Sequence, residues 1–151
     1  MRSFDELLPV FNLLGGAFTK YSLIDRKPLD FGVGVTLYPS EIHMVSRVDA
    51  REGVGVTELA EELGITKGAV SQLISRLEKK GMVAKEPDPD NRVRVLIRTT
   101  DLGHVASENH MAFHLSHDRE FLEYLAGLDE ASYAAVVRLA EEVNRWMDSY
   151  C

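Results

Sequence analysis

Two groups of residues in this sequence have types and spacings suited to chemistry. The first is a set of histidines: His104, His110, His114 and His117 lie close together in a segment of helical periodicity, and His43 is the fifth in the chain. At i and i+4, His110 and His114 place two imidazoles on one helix face, ~5–6 Å apart at Cβ, near enough to share a metal ion. Met111 follows His110 where a helical metalloprotease motif requires glutamate, so a metallohydrolase using His110, His114 and a bound water would lack its general base. The second group lies in residues 64–81. There Val70, Leu73, Ile74 and Leu77 form an apolar stripe at helical spacing. The opposite face shows Lys67, Gly68, Ser71, Gln72, Ser75, Arg76 and Lys79: small groups, hydrogen bonders and cations, with no carboxylate before Glu78. Such a face suits a DNA major groove, with Gln72 placed for adenine and Arg76 for guanine or phosphate.

Charge distribution supports a nucleic-acid partner although the net charge of −7 argues against one. From Thr66 to Arg98 eight cations face four carboxylates, so that segment is +4 and the remainder −11. A basic patch on an acidic body favours phosphate contacts at one place and disfavours indiscriminate binding elsewhere. At 151 residues the chain is long enough for one domain with a real core. No apolar run is expected to reach membrane-spanning length, the N-terminus lacks a signal-peptide pattern, and the only cysteine is Cys151. The expectation is a cytoplasmic protein with no disulfide and no membrane partner.

The elements that must position these groups follow from periodicity and punctuation. Residues 3–24 read as a long amphipathic helix, 26–34 as a loop, and 39–51 as a second helix opened by Pro39. Thr57 is the expected cap of a short helix over 58–63, and Gly64 makes the turn into the polar-faced helix capped by Thr66 and stopped at Gly81. Residues 82–86 and 93–98 alternate as two strands around a turn-rich tip, 87–92. Helix, turn, helix and hairpin in that order make a winged helix-turn-helix, with Arg92 at the hairpin tip for the minor groove, Asp90 to orient it and Arg94 to follow the DNA backbone. One further long helix is expected from Thr100 to Gly127, and a last one after its cap Asp129. The fold class is therefore mainly α with a small β-hairpin wing. Residues 37–99 form the DNA-binding region, and 1–36 with 100–151 form a helical region whose surplus apolar surface predicts a homodimer.

Residues 57–72, 77–83, Asp88-Pro89-Asp90-Asn91-Arg92 and Thr99-Thr100-Asp101-Leu102-Gly103 together resemble the MarR family of bacterial transcriptional regulators, over about 4–150. The resemblance implies a dimer on a pseudo-palindromic operator of double-stranded DNA, usually acting as a repressor. On this reading the DNA-binding residues are Thr66, Lys67, Gly68, Ser71, Gln72, Arg76, Asp90, Arg92 and Arg94.

The histidines resemble the zinc-responsive branch of that family. That resemblance places a carboxylate ligand at Asp25 and imidazole ligands at His43, His110 and His114, a set that suits tetrahedral zinc or another divalent transition metal. His117 and Asp118 are alternative ligands nearby. The branch's second metal site falls here on Phe31, Ile42 and Asn109, none of them a charged ligand, so at most one such site per subunit is expected. The competing effector is a small aromatic or anionic molecule in an inter-lobe cleft lined by Phe11, Tyr21, Tyr38, Met44 and Phe113.

Overall fold

A computed structural model describes residues 1–51, 53–91 and 93–150. The chain divides into two compact units, Met1–His110 and Met111–Cys151.

The first unit opens with α1 (Phe4–Ile24), whose Ser3 and Glu6 form a reciprocal capping box. No residue of α1 is buried, and Leu7, Leu8, Leu13 and Leu23 are among its exposed side chains. With mean hydropathy 1.2, α1 is long and apolar enough to cross a membrane by length and composition. That corrects the expectation of no such run: charge is confined to the helix ends, leaving residues 7–19 uncharged.

From the expected loop into the residues after it, the chain makes a small antiparallel hairpin, β1 (Leu29–Asp30) and β2 (Thr36–Leu37), with Leu29 opposite Leu37. The Asp30 carboxylate shapes its tip by accepting from the N–H groups of Val33 and Gly34. Helix α2 (Pro39–Asp49) buries Ile42, Met44, Val45 and Val48. Helix α3 (Val56–Leu63) begins earlier than expected and is capped at Gly55, not at Thr57. The Glu58 carboxylate accepts from the Gly55 N–H at 2.8 Å, which satisfies a donor at the helix start without a threonine cap. Gly64 takes φ 64° between α3 and α4 (Lys67–Lys79), the left-handed conformation that favours glycine.

Thr66 caps α4 through a 3.2 Å bond from the Ala69 N–H, and Val70, Leu73, Ile74 and Leu77 are buried. Strands β3 (Val83–Pro87) and β4 (Val95–Thr99) pair antiparallel, with Val83 opposite Thr99 and Pro87 opposite Val95. Val54 adds a single bridge to Ile97. Side chains from β2, α2, α3, α4, the wing and Ala106 form one apolar core, in which Leu37, Val45, Leu59, Ile74, Leu77, Met82 and Ile97 are fully buried.

Helix α5 (Asp101–His117) starts against this core. Gly103 permits that approach, since a Cβ there would stand 2.0 Å from the Met82 carbonyl oxygen. The Thr100 hydroxyl donates to Gly81 O and accepts from Gly103 N, fixing the helix start.

The second unit contains the end of α5, then α6 (Arg119–Ala126) and α7 (Glu130–Asp148). The single helix expected over 100–127 is two helices parted at Asp118, whose carboxylate bonds back to His114 and His117. Residues 116–120 are all polar, but Phe113 and Phe121 on either side keep helical phase, so spacing alone reads one helix. Asp129 caps α7 as expected, accepting from the Ser132 N–H at 2.9 Å. Neither α6 nor α7 buries a residue, and Phe121, Tyr133, Leu139 and Tyr150 are exposed.

Candidate nucleic-acid interface and metal centre

The two-faced helix anticipated from sequence is α4. Its apolar stripe is committed to the core, which turns Lys67, Gly68, Ser71, Gln72 and Arg76 outward, with Thr66 exposed at the cap. Ser71, Gln72, Ser75, Arg76 and Lys79 line one continuous surface groove. Short polar side chains between cations let a helix approach base edges closely, while the cations reach phosphates.

The wing is anchored at its base. Arg94 reaches Glu58 Oε1 at 2.6 Å and Asp88 Oδ2 at 3.4 Å, so this residue, read from sequence as a DNA-backbone contact, is engaged by two carboxylates of its own chain. The Gly55 N–H is the largest influence holding the Glu58 carboxyl below the usual carboxylate range; desolvation opposes it, and the Arg94 guanidinium adds to the lowering. Asp88 is buried and its carboxylate accepts from the Asp90 N–H, shaping the turn. Asp90 itself is exposed. Arg92 lies outside the described residues.

Three of the four residues assigned to metal come together. His43 of α2 and His110 of α5 have ring centroids 5.2 Å apart, and His114 follows His110 by one turn of the same helix. The ligand atoms of His43, His110 and His114 all lie within 4.8 Å of one another. His110 is 8% exposed, with its Nδ1 3.3 Å from Ser46 Oγ, which in turn accepts from Ser107. His114 Nδ1 lies 2.5 Å from Asp118 Oδ2, and His117 Nδ1 lies 3.0 Å from Asp118 Oδ1. Hydrogen bonds from His114 and then His117 hold the Asp118 carboxyl below its ordinary range. Oxygen partners at Nδ1 orient the imidazoles of His110 and His114, as outer partners do for metal-ligating histidines. Asp25 stands outside this group, exposed at the C-terminal cap of α1. The positions of the second site are filled by packing: Phe31 and Ile42 are buried, and Asn109 donates to Phe31 O at 2.7 Å. Met44, read as lining an effector cleft, is a core side chain at 1% exposure.

Two polar networks were not anticipated. Asp49, at the end of α2, accepts from Thr99 and lies 3.0 Å from His104 Nδ1. Burial is the largest single influence on Asp49 and would raise its pKa, but hydrogen bonds from His104, Thr99 and Ser107 outweigh it and hold the carboxyl low. The same contact raises the pKa of His104. The second network centres on Glu41, a buried carboxylate with Lys80 Nζ at 2.6 Å and Arg76 Nε at 3.9 Å. Its one local signal was a glutamate in the first turn of a helix opened by proline; the pairing with Lys80 spans 39 positions and leaves no periodic trace.

Comparison with known proteins agrees with this geometry. Residues 37–95 match the model of the MarR family. The chain is 28% identical over 122 residues to an uncharacterized HTH-type transcriptional regulator, YhjH of Bacillus subtilis, covering 80% of this chain and 70% of that one. Among solved structures it is similar to Streptococcus pneumoniae FabT in complex with DNA, with a TM-score of 0.70, 18% identity, and coverage of 95% of this chain and 99% of that one. It is also similar to ZitR of Lactococcus lactis, described as a zinc-responsive MarR family member, with a TM-score of 0.67, 16% identity, and coverage of 92% and 96%. At these identities the structural likeness concerns the fold.

Proposed function

We propose that this chain is a DNA-binding transcriptional regulator of the MarR family, a repressor that binds a pseudo-palindromic operator as a homodimer and answers to a bound metal; the match of residues 37–95 to the family model supports the reading. The observation that carries the DNA-reading part is α4: its buried stripe fixes the rotation of the helix, and that rotation presents Lys67, Ser71, Gln72 and Arg76 together. Thr66, Gly68 and the wing residues Asp90 and Arg92 complete the interface, while Arg94 serves it by holding the wing to α3. The relatives matched are transcriptional regulators and not enzymes.

Dimerisation is supported by the exposed apolar side chains of α1 and α7. A partner chain covering them would set the two recognition helices ~34 Å apart, one turn of DNA, for a symmetric operator.

Metal control is supported by the donor set. Three imidazoles with a short carboxylate contact at His114 and a hydroxyl contact at His110 fit zinc, which favours nitrogen ligands and oriented histidines. Zinc, or another divalent transition metal, would be held by His43, His110 and His114; Asp25, the fourth ligand implied by the resemblance, stands outside them here. The ion supplies a cross-link between α2 and α5; the chain supplies the orientation of its ligands. The likeness to a zinc-responsive regulator points the same way.

The proposal is tested by selecting duplexes from a random-sequence library with purified protein, then mapping the bound site. A protected site with two-fold symmetry that Gln72→Ala weakens by ~1–3 kcal/mol is the expected result. Enrichment of no sequence would reject the regulator reading. Metal analysis of protein purified without chelator should give one zinc per chain, lost in His110→Ala; absence of bound zinc after reconstitution would reject the metal reading.

A further inference from the structure

The end of the recognition helix is not simply a row of cations offered to DNA. Arg76, Lys79 and Lys80 occupy its last turn and cap, and two of the three are engaged by one carboxylate from another helix. Glu41 of α2 is 3% exposed, and its Oε2 accepts both from Lys80 Nζ at 2.6 Å and from the Tyr38 N–H at 2.9 Å. Lys80 also donates to Thr36 O at 3.0 Å and lies over the Tyr38 ring, so its ammonium, half-buried, is engaged by partners in its own chain. Arg76 is 57% exposed and sits where two hollows meet. In one it lies beside Glu41, with its Nε 3.9 Å from Oε1; in the other it lines the groove of Ser71 and Gln72.

From this arrangement we propose that Glu41 is a specificity-determining positioning residue. It withholds Lys80 from DNA and restrains Arg76, so that the last turn of α4 reads bases instead of collecting phosphates. The inference rests on α4 being the DNA-reading helix. The physical argument concerns two kinds of contact. A cation free to rotate finds a phosphate on any sequence and adds affinity without discrimination. The Glu41 carboxylate, 3.9 Å from Arg76 Nε and beyond hydrogen-bond distance, attracts the guanidinium by charge and biases its outer edge toward the groove of Ser71 and Gln72, where bidentate recognition of guanine would be made. One buried carboxylate between two cations also lowers the local charge that would hold the protein on non-cognate DNA.

The role has a signature opposite in sign to simple electrostatics acting on a specific site. Glu41→Gln keeps the side-chain volume and an oxygen for the Tyr38 N–H but removes the charge. Affinities of wild type and this variant are measured across a salt series, on a duplex selected by the wild type and on a scrambled duplex of the same composition. Two released cations should steepen the log–log salt dependence by ~0.9 each. The scrambled duplex should bind more tightly, and the selected-to-scrambled ratio should fall roughly five-fold or more as Arg76 loses its restraint. Lys79→Gln, which removes a cation of the same turn, should make the slope shallower and shows that the assay responds. Equal weakening on both duplexes with a wild-type slope would mean that Glu41 only supports the fold, and would overturn the proposal; so would an unchanged slope and ratio. If Glu41→Gln does not fold, the paired variant E41Q/K80Q replaces the ion pair by two amides and releases Arg76 alone. It should steepen the slope by ~0.9 and lower the ratio, and wild-type values there also overturn the proposal. Failure of the wild type to select any duplex would overturn the DNA-reading premise itself, before any variant is compared.

Discussion

The helix-turn-helix with its wing and the terminal helices are built to opposite rules. Between Phe31 and His110 the chain closes its own core, and every buried apolar side chain of the described residues falls in that span. Helices α1, α6 and α7 bury nothing, although they carry leucines, phenylalanines and tyrosines at helical spacing. Exposing that much apolar surface is unfavourable for a chain that stays alone in water. The contrast teaches that the reading head is folded by its own residues, whereas the terminal helices leave apolar surface that the proposed second chain would cover.

The sharpest way to break this contrast is to charge the terminal helices. Leu13→Glu combined with Leu139→Glu should convert the protein to a monomer by light scattering and weaken operator binding ~10²-fold or more, because the second half-site no longer binds intramolecularly. A dimer of unchanged affinity would show that the association surface lies elsewhere. Next in size is Gly103→Ala, which forces a Cβ against the Met82 carbonyl oxygen where α5 meets the core. It should cost about 1–3 kcal/mol in denaturant unfolding while leaving the association state alone. Asp118→Asn sharpens the account at the histidines: losing the carboxylate partner of His114 should weaken zinc binding ~10–100-fold in a competition titration, with little change in thermal stability without metal.

The smallest effect concerns pH within the reading head. His104 has its pKa raised, first by its hydrogen bond to Asp49, so its contribution is complete below its ordinary value near ~6.5 and is lost as pH rises through the raised value. Asp49 has its pKa lowered, so its contribution is present above ~4 and is lost only as pH falls through the lowered value. Melting temperature should therefore decline modestly above pH ~6.5 in the wild type and not in His104→Gln. Parallel curves for the two proteins would remove this contact from the stability of the head.

Local rules made much of the head legible from sequence. Thr66, Gly64 and Gly81 are decided by cap and turn geometry within a few residues, and the stripe of Val70, Leu73, Ile74 and Leu77 by period alone. The i, i+4 pair His110 and His114 was readable for the same reason, and only the resemblance, not spacing, supplied His43. What escaped was non-local or hidden by continuity. The Glu41–Lys80 pair, the Asp49–His104 contact and the Arg94–Glu58 bridge join residues from different elements. The break at Asp118 leaves Phe113 and Phe121 in helical phase, and the early start of α3 depends on Glu58 reaching back to Gly55. Asp25 shows the other limit: a carboxylate transferred by resemblance ends exposed at a helix cap, outside the three histidines.

The central claim is that the histidines govern what the reading head does on DNA. Operator titration of chelator-stripped protein, with and without one equivalent of zinc, tests it most directly. The account predicts stoichiometric binding and a shift in operator Kd of ~5–150-fold, abolished in His110→Ala. Stoichiometric zinc with an unchanged operator curve, or no zinc bound at all, would contradict it.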